Sequence, residues 1–280
     1  MEKQIVKGKS LQKIEANTIY KGCSFYLEDV INGADFNGTE LDNCSFRGWF
    51  NDWGRDEYGL WMAFTFKKIR QVLRWIDPGT FTMGLSETEE HEVTLDRGFW
   101  LADTTCTQEL WRAVMGKNPS YFKGKQQPVE SVSWDDCISF MEKLSGEIPQ
   151  LELSLPTEAQ WEYACRAGTT TAFSFGESVA EEQVNYDGYR PVKVKSLPCN
   201  SWGLYEMHGN VSEWCRDIYN EYTGDSITDD TEPIVYIERA LRGGSWYDDS
   251  LEDLRSGVRY GEAPFDCFDF VGFRFCLNPQ

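Results

Sequence analysis

Asn200-Ser-Trp-Gly-Leu-Tyr-Glu-Met-His-Gly-Asn-Val-Ser-Glu-Trp214 packs glycines, asparagines and tryptophans into fifteen residues. No long helix is readable in it or after it. Gly, Asn, Asp and Trp dominate, and turn signals are frequent. The whole chain carries 11 Trp, 13 Tyr and 17 Phe, so that 15% of its residues are aromatic. A tryptophan is costly to bury unless its N–H finds an acceptor. This composition predicts many short strands and long loops pinned by aromatic anchors.

Upstream of that stretch, three helices are predicted. Thr107–Met115 starts on a Thr N-cap with an acid in its first turn, and carries Leu110, Trp111 and Val114 on one side. Ser133–Leu144 has Ser133 as cap and places Asp135 and Asp136 near the positive end of the helix. Thr157–Arg166 has Thr157 as cap, Gln160 as its reciprocal partner and Gly168 as its stop. Glu92–Leu95 and Gly98–Leu101 read as strands. Trp61–Ile76 fits a helix and a pair of strands about equally well, and Pro78-Gly79 then breaks the chain.

Residues 1–76 read as an N-terminal segment and residues 77–280 as the main domain. Phe36, Leu41 and Phe46 recur at intervals of five, with Ala34, Thr39 and Cys44 two places before each. This resembles the pentapeptide-repeat pattern of a narrow β-solenoid; an amphipathic hairpin or loop fits the same residues.

At 280 residues the chain can bury roughly three quarters of its unfolded surface. Forty-six acids against 27 bases give a formal charge of −19. That argues against nucleic acid, whose binding needs a cationic face, and against docking on an anionic membrane. No apolar run approaches the roughly 20 residues of a spanning helix. Met1–Tyr20 has no continuous apolar core, so no secretory signal is expected, and location is left open between the cytoplasm and display by another route. The nine cysteines are scattered without a Cys-x-x-Cys pair, which speaks for buried thiols rather than a zinc site or a disulfide scaffold. His91 and His208 are the only histidines, too few for a three-histidine metal site.

Four stretches follow one another in order: Pro128–Trp134, Leu155–Gly168, Asn200–Trp214, and Arg242-Gly-Gly-Ser-Trp246 with Arg255, Arg259 and the closing Gly272-Phe-Arg-Phe275. Together they resemble the formylglycine-generating-enzyme (sulfatase-modifying factor) superfamily, over about Phe81 to Cys276. The resemblance implies an α+β, C-type-lectin-like fold with little regular secondary structure, preceded here by a small β-rich segment. Gly243-Gly244 would let chain approach chain. Arg255, Arg259 and Arg274 would fork onto carboxylates, with Glu158, Glu162 and Glu213 as partners.

The oxidases of that superfamily bind copper through two cysteines after the Gly-Gly-Ser motif. In this chain the first position falls on Asp248, and the second on Asp253 or Leu251 according to the direction of counting. Thiolates suit Cu(I) and carboxylates do not replace them. The sulfoxide synthases of the same superfamily need a histidine triad, which two histidines cannot supply. The sequence therefore predicts no catalytic residues and no required cofactor. Calcium is possible: superfamily members hold it near an Asn-x-x-Gly-Leu element, which maps to Asn200, Gly203 and the backbone of Tyr205, and oxygen-only ligands suit that ion.

The C-terminal stretch, about residues 242–275, points to ligand binding. Tyr, Asp, Cys, Phe, Val and Gly are all reachable from an Asn codon by changing its two adenines. That is the residue set produced by diversity-generating retroelements, whose variable proteins share this fold and diversify this stretch. The positions so marked are Tyr247, Asp248, Asp249, Val258, Tyr260, Gly261, Phe265, Asp266, Cys267, Phe268, Asp269 and Phe270, on a frame fixed by Trp246, Arg255, Arg259 and Arg274. Aromatic residues mixed with acids suit a binding surface, and the expected partner is a protein or cell-surface ligand. Core packing of Phe265, Phe268 and Phe270 is the alternative reading, and a metal-dependent oxidase or a pseudoenzyme scaffold is the alternative function.

Overall fold

A computed structural model describes residues 50–85, 90–148, 151–220 and 237–277, and, nearer the N-terminus, 4–7, 10–11, 18–21, 23–26, 40–42 and 45–47. The segment left open between helix and strand is a hairpin. Strands β8 (Gly59–Phe66) and β9 (Ile69–Ile76) pair antiparallel from Phe66↔Ile69 to Trp61↔Arg74. Lys67 and Lys68 connect them at φ 46° and 73°. Two successive left-handed residues match the twist of a tight hairpin, but Lys-Lys carries none of the usual Asn-Gly signal.

This hairpin is the middle of a six-stranded sheet. Its order is β13 (Leu153–Ser154), β18 (Cys276–Leu277), β12 (Phe99–Ala102), β9, β8 and β7 (Asp52–Asp56). Strands on both sides of residue 76 thus share one sheet. β10 (Gly79–Met83) and β11 (His91–Leu95) form a separate hairpin. A third sheet has the order β16 (Arg259–Glu262), β15 (Arg239–Arg242), β14 (Ser212–Ile218) and β17 (Val271–Gly272).

Near the N-terminus, β1 (Gln4–Lys7), β3 (Thr18–Lys21) and β5 (Glu40–Asp42) pair in parallel, as do β2 (Ser10–Leu11), β4 (Ser24–Tyr26) and β6 (Ser45–Arg47). The chain alternates between the two sheets, whose backbone register pairs Tyr20 with Leu41 and Phe25 with Phe46. Of the five-residue rhythm, Ala34, Phe36, Thr39 and Cys44 lie outside the described residues. Tyr20 and Phe25 meet edge to face with ring centroids 5.1 Å apart, and both join the core that includes Leu60, Met62 and Phe64.

The three helices stand where the sequence puts them. α1 (Gln108–Met115) is capped by Thr107, whose side chain accepts from Leu110 N, and ends on Gly116 at φ 82°. α2 (Trp134–Glu147) and α3 (Glu158–Arg166) both start with reciprocal capping boxes, Ser133 with Asp136 and Thr157 with Gln160. Trp111 and Phe140, one from each of the first two helices, stack at 5.1 Å and 3°, and Phe273 meets both edge to face. The result is an α+β architecture with three helices among the described residues.

Buried ion pairs tie α3 to the third sheet. Arg274, fully buried, forks onto Glu213 at 2.6 and 2.7 Å and also donates to the carbonyls of Ala102 and Tyr205. Trp161 Nε1 donates to the same Glu213 carboxylate at 2.8 Å. Arg259 forks onto Glu158 at 2.7 and 2.6 Å. Glu162 receives Arg166 at 2.8 Å, the Gly84 N–H and the guanidinium of Arg242. Each expected glutamate is an anchor, and Arg242 takes the place foreseen for Arg255, which pairs locally with Glu252. Gly243 sits against Trp161 at φ 96°; a Cβ there would lie 3.0 Å from the indole, so the turn admits only glycine without strain.

A candidate ligand-binding face

The frame ends at Trp246, and the face begins one residue later. Trp246 is buried, and its indole N–H donates to the Asp269 carbonyl at 3.3 Å. Its backbone N–H donates to Asn210 O, and its carbonyl accepts from Gly188 N. Held this way, it fixes the spacing between two loops that are distant in sequence. Tyr247, 64% exposed, then stacks on Phe270 with centroids 5.2 Å apart and planes at 12°. Phe270 stacks on Phe268 at 5.1 Å and 16°. Offset or edge contacts at such distances are the favourable aromatic geometries.

The array continues into the loop after α1, where the sequence marks no ligand-binding residue. Phe122 meets Trp246 edge to face at 5.3 Å, and Tyr121, 71% exposed, meets Phe122 at 5.0 Å. Buried Glu130 anchors this pair by accepting the backbone N–H groups of Tyr121 and Phe122 at 3.0 and 2.8 Å. The next residue, Ser131, donates its N–H to the Phe268 carbonyl at 2.9 Å. One turn thus positions both halves of the aromatic array. The signal for it was present as Tyr121-Phe122 after Asn118-Pro-Ser, but nothing local shows that those rings reach Trp246.

The other marked positions separate into groups. Phe265, 61% exposed, and Cys267 lie on the surface, while Phe268 and Phe270 are half-buried and also touch the main core. Each of those two rings therefore packs partly on the core and keeps part of its surface open to solvent. Asp248 accepts from the N–H and hydroxyl of Ser245 at 2.6 and 3.0 Å, which orients the turn, while Asp249 is exposed. Tyr260 donates its hydroxyl to Asp253 at 2.8 Å, away from the ring stack. Asp266 and Asp269 flank the phenylalanines and are half-buried.

Two positions do not belong to an open face. Val258 is buried, and its carbonyl accepts from Arg242 at 2.5 Å. Gly261 is overlain by Tyr219, with a Cβ placed only 2.3 Å from that ring. Burial raises the carboxyl of Asp248 above the usual range, helped by the charges of Asp253 and Asp249 and opposed by the Ser245 hydrogen bonds. Glu262 moves the same way through burial and the charges of Asp266 and Glu238.

The copper and calcium positions implied by the resemblance hold residues that do not suit those ions. Asp248, Asp253 and Leu251 offer no sulfur where copper cysteines would stand. The Asn200 oxygen already accepts from Trp202 N and Leu204 N at 3.0 and 3.1 Å, and its amide donates to the carbonyls of Ala164 and Cys165. The Tyr205 carbonyl is taken by Arg274, and the guanidinium of Arg74 packs on Gly203, where an added Cβ would meet its Nε at 2.8 Å. Cations of the chain itself occupy the surroundings in which calcium ligands were expected, so these three residues form no open oxygen cage.

His208 is the other enclosed polar group. Its Nδ1 lies 2.8 Å from the Leu254 carbonyl, and Ser174 N donates to its Nε2 at 3.1 Å. The neutral ring therefore carries its proton on Nδ1. Burial pulls its pKa down to about 4. Cys165, buried beside it, has its thiol pushed up to about 12 by burial. This pair is an uncharged core contact rather than an activated thiolate. Six of the eight described cysteines are buried. No described helix is long and apolar enough to cross a membrane.

With this geometry established, comparison with known proteins is informative. The sulfatase-modifying factor enzyme 1-like domain profile matches residues 65–279. The chain is 31% identical over 189 residues to the formylglycine-generating enzyme of Streptomyces coelicolor, covering 60% of this chain and 58% of the relative. It is 32% identical over 184 residues to the serine/threonine-protein kinase pkn1 of Chlamydia pneumoniae, covering 64% of this chain but only 28% of that protein. An inactive formylglycine-generating enzyme paralogue of Mus musculus is 28% identical over 185 residues, covering 59% of this chain and 54% of the paralogue. Among solved structures, Treponema denticola variable protein 1 superposes with a TM-score of 0.69 and 29% identity, covering 78% of this chain and 99% of that one. Active enzymes, an inactive paralogue and a variable protein thus share this architecture. By its matched motifs and its C-type-lectin-like α+β fold, the chain belongs to the sulfatase-modifying factor enzyme 1-like family.

Proposed function

We propose that this protein is a non-catalytic ligand-binding member of its family that displays a diversified C-terminal surface. The observation that carries the reading is the ring stack of exposed Tyr247 on half-buried Phe270 and Phe268, set on a frame of buried ion pairs. Large, stiff rings offer contact area at low entropic cost. A rigid frame lets residues at the tips change without disturbing the core. The likeness to a variable protein supports the same reading. So does the lack of a cysteine at Asp248 and at either Asp253 or Leu251, where the resemblance to the family's oxidases would put copper ligands. The partner in this reading is a protein or cell-surface ligand. Val258 and Gly261 are left out of the contact set because one is buried and the other is covered by Tyr219.

An activity assay separates this reading from an oxidase. The full chain, loaded with Cu(I) and supplied with a cysteine-containing peptide under oxygen, is expected to leave the peptide thiol unconverted. Formylglycine appearing with multiple turnovers would sink the proposal.

A further inference from the structure

The ring stack lies in a stretch rich in carboxylates, of which Asp248, Asp249, Asp253, Glu262, Asp266 and Asp269 make no ion pair among the described residues. Between Tyr247 and Phe270 the sequence holds Asp248, Asp249, Glu252, Asp253, Glu262, Asp266 and Asp269 against Arg255 and Arg259. Both arginines are engaged: Arg255 with Glu252, and Arg259 with Glu158 behind the face. Of the remaining acids, Asp248 accepts from Ser245 and Asp253 from the Tyr260 hydroxyl, while the charges of Asp253 and Asp249 act on Asp248 and that of Asp266 on Glu262. Burial raises Asp248 and Glu262, and in each case neighbouring carboxylates push further in the same direction. Repulsion of this kind is relieved when a cation arrives. An aromatic face has a negative π-surface that also attracts cations. Rings and acids therefore favour the same class of guest.

Resting on the binding reading above, we infer that the ligand of this face is a cationic polypeptide segment. An Arg or Lys side chain lies over the Tyr247–Phe270–Phe268 stack, and its neighbours meet Asp248, Asp249, Asp266 and Asp269. Tyr121 extends the platform on the far side of Trp246. It is a second exposed ring, outside the C-terminal stretch, and it would remain constant while residues 247–270 vary. An apolar peptide would gain ring contacts but would have to desolvate the acids without compensation. An anionic one would be repelled.

The test is selection from a random linear peptide library against the wild-type chain, with affinities then measured on three variants. One carries Asp248→Asn, Asp249→Asn, Asp266→Asn and Asp269→Asn. The second carries Tyr247→Ala and Phe270→Ala. The third is a control that neutralises as many exposed acids elsewhere, by Glu142→Gln, Glu147→Gln, Glu181→Gln and Glu182→Gln. Unchanged thermal unfolding verifies that each variant is folded.

The expected result is enrichment of Arg- and Lys-bearing peptides. Their affinity should fall roughly tenfold or more on the Asp→Asn variant, at least several-fold on the ring variant, and by less than about threefold on the control. Equal losses on the control would reduce the effect to net charge and overturn the inference. Peptides without cations that depend on the rings alone would also overturn it, while leaving the face a binding surface. Peptides indifferent to both face variants, or no selection at all, would overturn the inference and the binding reading together.

Discussion

Tyr247 and Phe270 stack nearly parallel, 5.2 Å apart, although strand β16 lies between them in the chain's path. Trp246 makes this possible, because its indole bonds the Asp269 carbonyl and so fixes the two loops at ring-stacking distance. Tyr247 contributes little to the core. Tyr247→Ala should therefore change folding stability by no more than about 1 kcal/mol. Trp246→Ala should cost about 3–5 kcal/mol. Urea denaturation of both variants checks the contrast, and a large cost for Tyr247→Ala would mean that the ring is structural.

The ion pairs differ in the same way. Arg274 and Glu213 are both essentially inaccessible, so Arg274→Ala leaves a buried carboxylate uncompensated and should cost about 3–5 kcal/mol. Arg255 and Glu252 are 33% and 66% exposed, and Glu252→Gln should cost less than about 1 kcal/mol. Equal losses in chemical denaturation would contradict the assignment of Arg274 as the central pin.

Two buried groups give the stability curve a particular pH dependence. His208 is held neutral with its pKa near 4, so between its unfolded value and 4 the unfolded chain binds the extra proton. Its contribution falls as pH drops, by about 1.4 kcal/mol per unit. Glu206 has the opposite sign. Burial raises it to about 7, so the folded chain binds the extra proton and stability rises as pH falls from 7 towards the ordinary glutamate range. Between about pH 6.5 and 4.5 the two slopes oppose each other. Glu206→Gln should expose the His208 slope as a steeper acid loss than wild type shows in a pH series of urea melts. A Glu206→Gln curve parallel to wild type would contradict this.

Because Asn200 and Tyr205 already spend their oxygens on the chain, calcium should not be needed to hold their loop. Millimolar calcium and a chelator should leave the melting temperature of the wild type equal to within about 1 °C. Asn200→Ala should cost about 2–4 kcal/mol through its orphaned backbone partners. A calcium-dependent rise of several degrees would restore the ion to this loop.

Much of the fold was legible because its signals are local. Thr107, Ser133 and Thr157 announce their helices by caps that need no tertiary context. The motif stretches carry the family because each holds a Trp, Gly or Arg that has a fixed job in the core, such as Gly243 beneath Trp161. The hairpin at Lys67-Lys68 was not legible, because lysine at positive φ is imposed by strand pairing rather than by preference. At the site, the sequence marked the rings of residues 247 and 265–270. It also marked Val258 and Gly261, since a codon pattern carries no information on burial. It passed over Tyr121 and Phe122, which join the array only through Glu130, Ser131 and Trp246.

Variation at one surface of this protein leaves its mark in the surroundings of the gene. Sequencing the locus should reveal a near-copy of the codons for Arg242 to Phe275 beside a reverse-transcriptase reading frame. The copy should carry adenines where this chain has Tyr247, Asp248, Asp249, Phe265, Asp266, Cys267, Phe268, Asp269 and Phe270, and should match it at Trp246 and Arg274. A locus with no such copy, or a copy differing mainly at buried frame positions, would contradict the account.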